Sequence, residues 1–395
     1  MRKALLVTTV SGFVPQFEMN NVRLLQKMGL EVHYAANYHM PSYGNDNHRL
    51  RGTGIIRHQV DFVRSPFKMA NLTAYRQLKH LMQKERFDLV HCHTPMGGVL
   101  ARLAARATET RPVLYTAHGF HFYTGAPLIN WLLYYPIERF LSRYTEQQIC
   151  INMEDYKRAK DKFLSRYVNY IPGVGIDYKD VIPVTEERKK VKREELNISQ
   201  EKIVLLSVGE LIKRKNHEIM IKAIADMQDK RLLYVICGQG ELEGYLKSLV
   251  KKMDVENQVV FLGYRTDIYE IYSIADLFVF PSCQEGLPMA LLEAVRSGLP
   301  VICSDIRGSR DLMGLVNQKT RREKIKGKMY VCEGGILVKS AHKISGYVAG
   351  ISYLISHKEQ WKSMGEKNMK RAERFEVQKV SAIMDKIYKR ALRMK

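Results

Sequence analysis

The sequence predicts an α/β protein made of two doubly wound, Rossmann-like halves that face each other across a cleft. Three observations carry this expectation. At 395 residues the chain is too long for one ordinary core and suits two domains of nearly equal size. Short apolar runs alternate with helical patterns through most of it, the grammar of parallel sheets covered by helices. That alternation pauses once, near the middle, and then restarts.

The first strand is "KALLVTTV". A basic pair and about seven apolar-rich residues ahead of a polar turn sit at the bottom of the signal-peptide range, and a strand explains them better. A helix around "MNNVRLLQKMG", the strand "LEVHYAA", and later "FDLVHCH" and "RPVLYTAHG" complete a first domain over residues 1–172. Residues 173–200 collect Pro, Gly and a charge run and read as the interdomain linker. The pattern then resumes with "KIVLLSVGEL", "NHEIMIKAIADM", "RLLYVICGQG", "ELEGYLKSLVKKM", "QVVFLGY", "DIYEIYSIA", "DLFVFPS", "PMALLEAVRSG" and "LPVICSD", a second domain over 201–375. The basic stretch 376–395 reads as a final helix that can pack back on the first domain. Sheets of this kind bind ligands beyond the C-terminal ends of their strands.

Composition is ordinary for a globular protein, 46% hydrophobic and 26% charged, and no uncharged apolar run reaches the eighteen or so residues that span a bilayer. Cys92, Cys150, Cys237, Cys283, Cys303 and Cys332 are scattered with no C-x-x-C pair, so reduced thiols are expected. The net charge of +22 calls for an anionic surface, an anionic ligand or nucleic acid.

Chemistry concentrates in "PSCQEGLPMALLEAVRSGLP". Glu285 follows a strand, Pro288 suits the first turn of the next helix, and amides at Gly286, Leu287 and beyond Pro288 form a helix N-terminus suited to phosphate. Glu285 ahead of the helix and Glu293 two turns into it would flank that anion, each able to accept from hydroxyls. A sugar nucleotide has hydroxyls at both ends and a diphosphate between. Alone, the two acids could equally be a dipole-favoured acid and an exposed helical Glu.

The surrounding pieces resemble the retaining glycosyltransferases of family 4, with the two-Rossmann GT-B architecture. E-G-L-P-M-A-L-L-E matches their E-x7-E signature, and "YSIADLFVFPS" matches its usual lead-in. The resemblance covers nearly the whole chain and is most specific from Ser207 to Asp311. It implies that Glu285 contacts the donor sugar and Glu293 the ribose, and that "SVGELIKRKNHE" supplies cations for the diphosphate, Lys215 being the match to the family lysine. The family's Gly-Arg is Gly209-Glu210 here, so Lys213 or Arg214 has to stand in for the arginine. Gly12 in "TTVSGFVPQF" corresponds to the family's glycine loop, without the usual second glycine. Gly238 and Gly240 in "CGQG" narrowly miss G-x-G-x-x-G and read as a turn lining the nucleotide pocket.

His118 in "YTAHGFHFY" matches the family's active-site histidine, which with Glu285 forms the expected catalytic pair. The resemblance implies retention by front-face displacement, with the leaving diphosphate helping to deprotonate the acceptor. His91, His93 and His121 have no carboxylate at a recognised metal-ligand spacing, and no D-x-D triplet occurs, so no metal or other cofactor is expected.

Basic residues gather on two first-domain helices, Arg76, Lys79, Lys84 and Arg86 on one and Arg102, Arg106 and Arg111 on the next. Together with Trp131, Tyr134 and Tyr135 they read as a membrane-surface face, although solvated helix faces look the same. This segment resembles the exopolysaccharide and capsule branch of the family, whose acceptors are polyprenyl-diphosphate-linked saccharides. The expected activity is transfer of a hexose or N-acetylhexosamine from a nucleotide sugar, UDP-linked in this reading, on the inner leaflet facing the cytoplasm. A phosphatidylinositol or diacylglycerol acceptor is the rival lipid. Nucleic-acid binding is the rival class, and no RNA-binding, zinc-finger or helix-turn-helix signature supports it. The basic segment 317–335 reads as a loop over the donor or a lipid contact.

Overall fold

β1 (Arg2–Val10) is buried along nearly its whole length because both faces are covered, which is why it reads as an apolar run without alternation. It opens a unit that continues through α1 (Phe13–Phe17), α2 (Met19–Lys27), β2 (Leu30–Asn37), β3 (Ile56–Gln59), α3 (Ala70–Glu85) and β4 (Leu89–His93). Then follow α4 (Pro95–Ala107), β5 (Val113–Ala117), α5 (Leu128–Ser142), β6 (Gln147–Cys150), α6 (Met153–Lys162) and β7 (Tyr167–Tyr170). The computed structural model describes residues 1–41, 47–177, 179, 181, 185–314, 323–325 and 328–394. Residues 317–322 and 326–327 of the basic segment lie outside them.

The seven strands of this unit form one parallel sheet in the order β3-β2-β1-β4-β5-β6-β7. Ala4 pairs with Val32 of β2 on one side and with Leu89 of β4 on the other. The winding reverses between β1 and β4, making their C-terminal ends a switch point. Helix starts follow local chemistry. Pro95 occupies the first turn of α4, and the Asn152 side chain accepts from Asp155 N at 2.9 Å to begin α6, with Glu154 and Asp155 in its first turn and Lys160 and Lys162 in its last.

The second unit begins with α7 (Glu186–Glu195), inside the stretch expected to be a linker. The Thr185 side chain caps it by accepting from Arg188 N, and Glu186 and Glu187 favour its first turn. Three of its five basic residues are fastened down. Arg193 reaches Asp276 at 2.7 Å, Lys189 the same carboxylate at 2.5 Å, and Lys192 Asp267 at 2.8 Å. The charge run is therefore a docked helix, with these three cations paired to acids of the same unit.

After α7 come β8 (Ile203–Val208), α8 (His217–Met227), β9 (Leu232–Cys237), α9 (Glu243–Lys252), β10 (Val259–Gly263), α10 (Ile268–Ile274), β11 (Leu277–Phe280) and α11 (Met289–Arg296). β12 (Val301–Ser304), α12 (Arg307–Leu312), β13 (Glu323–Ile325), β14 (Met329–Cys332), β15 (Gly335–Val338), α13 (Ile344–Ser356), α14 (Trp361–Ala372) and α15 (Val377–Leu392) follow. The sheet order is β10-β9-β8-β11-β12-β15-β14-β13, with antiparallel pairing, among the described residues, only at β15-β14-β13. The switch point here lies between β8 and β11.

By contacts the chain divides into Met1–Gly175 with Val377–Lys395, and Ile176–Glu376, so α15 belongs to the first unit. There the Tyr388 hydroxyl lies 2.8 Å from His91 Nδ1. None of the six cysteines is in a disulfide, and five are buried. Among the described residues no helix is long and apolar enough to cross a membrane.

Candidate active site

At the switch point of the second unit, the loops leaving β8 and β11 carry the residues singled out by sequence. The β8 loop ends in a tight helical turn, Lys213–Lys215. Cys283 N of the other loop donates to Arg214 O at 2.9 Å, tying the two together. Arg214 Nη1 donates to Gln284 O at 2.9 Å and to Glu285 Oε1 at 2.5 Å, and Lys215 Nζ reaches the same carboxylate oxygen at 2.9 Å. The Glu285 side chain is 11% exposed and Arg214 38%, so the cluster is sheltered but reachable. Lys213 points to solvent. Of the two residues expected to replace the missing family arginine, Arg214 is the one beside Lys215.

Gly209 lies against the lysine stem, where an added Cβ would sit 3.4 Å from Lys215 Cδ. Gly238 has a different reason to be glycine. Its Cβ would fall 1.9 Å from Gly209 O, and one on Gly240 2.6 Å from Leu211 O, so the "CGQG" turn is shaped by packing of two strand-end loops. Pro288 stands just ahead of α11, with Gly286 and Leu287 in the loop before it, and Glu293 is the fifth helical residue, one turn in where two were expected. Tyr272, which sequence reasoning did not single out, donates its hydroxyl to Glu293 Oε2 at 2.8 Å, and burial raises the Glu293 pKa.

In the first unit the switch point gathers a second polar cluster. Gly12 precedes α1 with ordinary helical dihedrals, and its N–H donates to Pro41 O at 2.7 Å. His118 lies one residue beyond β5. Its Nε2 is 3.1 Å from Nδ1 of His93, the last residue of β4, and 3.6 Å from Oε1 of Glu18, at the joint between α1 and α2. Glu18 Oε1 is also 3.5 Å from His93 Nδ1. Among the described residues this is the group of metal-ligating side chain types whose donor atoms come together, all within 4.8 Å. His121 is not part of this group and packs on Tyr134, and the carboxylate beside His93 and His118 is Glu18, distant in sequence. Burial pushes Glu18 up to about 8 and holds the imidazoles down, His118 at about 4, His91 at about 3 and His93 well below its usual value.

The membrane-facing residues divide. Arg76 and Lys84 on α3 are exposed and Lys79 is half-buried. Arg102 is fully buried, with Nη2 on Glu138 Oε2 at 2.8 Å, Nε on Gly98 O at 2.9 Å and its guanidinium over the Tyr115 ring at 4.0 Å, so it presents no charge to any surface. Trp131, Tyr134 and Tyr135 pack against the first unit's core, Trp131 and Tyr135 on Phe122. Together with buried Glu138 they recur at three- and four-residue steps, which sets one face of α5 inward. Its outward face carries Leu128 (80% exposed), Ile129, Leu132 (74%) and Phe140, with Arg139 and Arg143 beside them.

Residues 188–371 match the family profile described as "Glycosyl transferases group 1", and residues 4–152 the one described as "Glycosyl transferase 4-like". The chain is 35% identical to EpsD of Bacillus subtilis, a protein named as a glycosyltransferase, over 98% of this chain and 96% of EpsD. It is 33% identical to the UDP-Gal:alpha-D-GlcNAc-diphosphoundecaprenol alpha-1,3-galactosyltransferase of Escherichia coli, over 60% of this chain and 62% of that enzyme. Among solved structures, HepE of Anabaena in complex with UDP superposes with a TM-score of 0.75 at 16% identity, over 99% of this chain and 100% of that one.

Proposed function

The chain belongs to the family 4 glycosyltransferases and has their GT-B fold, and on that premise we propose that it moves a hexose or N-acetylhexosamine from a UDP-sugar to a polyprenyl-diphosphate-linked saccharide, with retention of configuration and without a metal. The observation that carries this reading is the Arg214–Lys215–Glu285 cluster at the switch point of the second sheet. Two cations and the nearby start of α11 suit a diphosphate, and they supply the positive charge that a divalent ion would otherwise bring. Glu285 takes hydroxyls of the transferred sugar and Glu293 those of the ribose. His118 hydrogen-bonds the sugar as charge develops on it.

The bond from the anomeric carbon to the diphosphate breaks as the acceptor oxygen bonds on the same face, and the acceptor's proton goes to the leaving phosphate oxygen. The acceptor class draws support from the name of the Escherichia coli relative and the donor nucleotide from that name and the HepE complex. Calorimetric titration with UDP tests the nucleotide half. UDP should bind the wild-type protein, and Glu293→Ala should weaken it about tenfold, the scale of one lost hydrogen bond to a charged group. Unchanged affinity in a folded variant would remove the ribose role.

A lipid-linked acceptor places the work at the cytoplasmic face of the membrane, and the outward stripe of α5 offers the apolar contact there. This replaces the aromatic trio as the inserting element. Arg76, Lys79 and Lys84 add the salt-sensitive part, about 1 kcal/mol for each basic residue near an anionic surface. Anionic vesicles should bind the protein, less tightly but still measurably in high salt. Leu128, Leu132 and Phe140 all changed to serine should abolish the salt-resistant part, whereas reversing the three basic residues should abolish the salt-sensitive part. Wild-type vesicle binding by the triple serine variant would exclude α5 as the inserting face.

A further inference from the structure

The buried cluster around His118 contains two groups that the transfer reaction above does not use, Glu18 and His93. We propose that both are positioning residues that hold His118 in the neutral tautomer carrying its hydrogen on Nδ1, so that it can donate to the donor sugar. The inference rests on the reading of His118 as a donor-sugar contact.

A neutral imidazole offers one donor and one acceptor nitrogen. His93 is fully buried, its Nδ1 faces His118 Nε2 at 3.1 Å, and its Nε2 has no hydrogen-bond partner. A hydrogen on that Nε2 would be a buried, unpaired N–H, so the hydrogen belongs on Nδ1, where it is donated to His118. His118 Nε2 is then an acceptor, and its own hydrogen lies on Nδ1, at the other edge of a ring whose side chain is 21% exposed. Glu18 leads to the same assignment. Among the described residues no lysine or arginine pairs with it, its Oε2 accepts from Asn21 Nδ2 at 2.5 Å, and burial favours its protonated form at neutral pH. A protonated carboxyl whose Oε1 lies 3.6 Å from Nε2 puts no negative charge there to draw a hydrogen onto that nitrogen. Phe13, T-shaped on His118 at 4.8 Å, fixes the ring plane.

The groups facing this cluster are His91 on β4, Tyr34 on β2 and Tyr388 on α15. His91 has both nitrogens engaged, by Tyr388 and Thr116, each at 2.8 Å, and burial keeps both tyrosines un-ionised. Ionisation of Glu18 is thus the event that loosens the arrangement. Its folded pKa is raised, so the carboxyl stays protonated below about 8, and above that the carboxylate, 3.5 Å from His93 Nδ1, competes with His118 Nε2 for the His93 hydrogen and the His118 tautomer is no longer fixed.

The test is a long-range proton–nitrogen correlation spectrum of protein labelled with 15N-histidine, assigned with His118→Ala, alongside turnover against pH. Wild type should show the Nδ1–H tautomer at pH 7 and lose turnover as pH rises through about 8. The double variant Glu18→Ala/His93→Ala should mix the tautomers and lower kcat roughly tenfold with little change in donor KM. Glu18→Gln, which fills the same space and cannot ionise, should recover most of the turnover lost in Glu18→Ala and lose the alkaline limb. An unchanged His118 tautomer in the double variant, or an intact alkaline limb in Glu18→Gln, overturns the proposal. Full activity in His118→Ala would instead remove the donor-sugar reading, while the spectrum still decides whether Glu18 and His93 set the tautomer.

Discussion

Replacing Glu285 with alanine is expected to lower turnover at least ~100-fold, the scale of a positioned polar group acting on the transition state. The structure sharpens this into a split between kcat and binding. Glu285 Oε1 is shared by Arg214 and Lys215, so its removal leaves two cations uncompensated where the diphosphate is proposed to sit. UDP affinity should therefore hold or rise while kcat collapses. Initial rates at saturating donor, calorimetry with UDP and a circular-dichroism check of folding read out the three quantities. A folded variant with near-normal turnover would remove Glu285 from the chemistry. A variant that lost UDP binding but kept kcat would make it a support for the cations alone.

The second large effect concerns stability. Arg102→Ala should cost about 3–5 kcal/mol, because it leaves Glu138 buried without its counter-charge. The Tyr115 hydroxyl donates to Glu138 Oε1 at 3.1 Å, a single bond from a neutral donor that does not offset that loss. Urea unfolding followed by fluorescence suits the question, since Trp131 packs on Phe122 in the same unit. Arg102→Met combined with Glu138→Leu should recover most of the loss, as apolar pairs commonly replace buried ion pairs at little cost. A midpoint unchanged in Arg102→Ala would mean that the carboxyl is neutralised in some other way.

Arg102 also shows where the sequence stops being informative. A basic residue on an amphipathic helix looks the same whether it faces water or a buried acid, and Glu138 lies 36 positions away. Glu18 was invisible for a similar reason. It stands alone in a polar helical run, and only the winding of β1, β4 and β5 around the switch point brings it to His93 and His118. Other readings failed where a signal was available. Trp131, Tyr134, Tyr135 and Glu138 are spaced as one helix face, and a face so rich in aromatic rings is a core face. Thr185 followed by Glu186 and Glu187 is a helix start, obscured by the Pro, Gly and charges around it. The strands were legible because parallel sheets bury both faces, so each reads as an unbroken apolar run between turns. Glu285 and Lys215 were legible through their motifs, but their direct ion pair was not, since it depends on two loops 70 residues apart meeting at β8 and β11.

The central claim is transfer from a UDP-sugar to a polyprenyl-diphosphate-linked saccharide by a protein that supplies its own positive charge. The most direct test is the mass of the lipid product after incubating the protein, in EDTA, with a panel of UDP-sugars and a short-chain polyprenyl-diphosphate-linked monosaccharide. The account predicts a gain of one hexose or N-acetylhexosamine from at least one donor, at a rate that added magnesium or manganese does not change. A lipid left unextended by every UDP-sugar, or extended only when a divalent ion is restored, would contradict it.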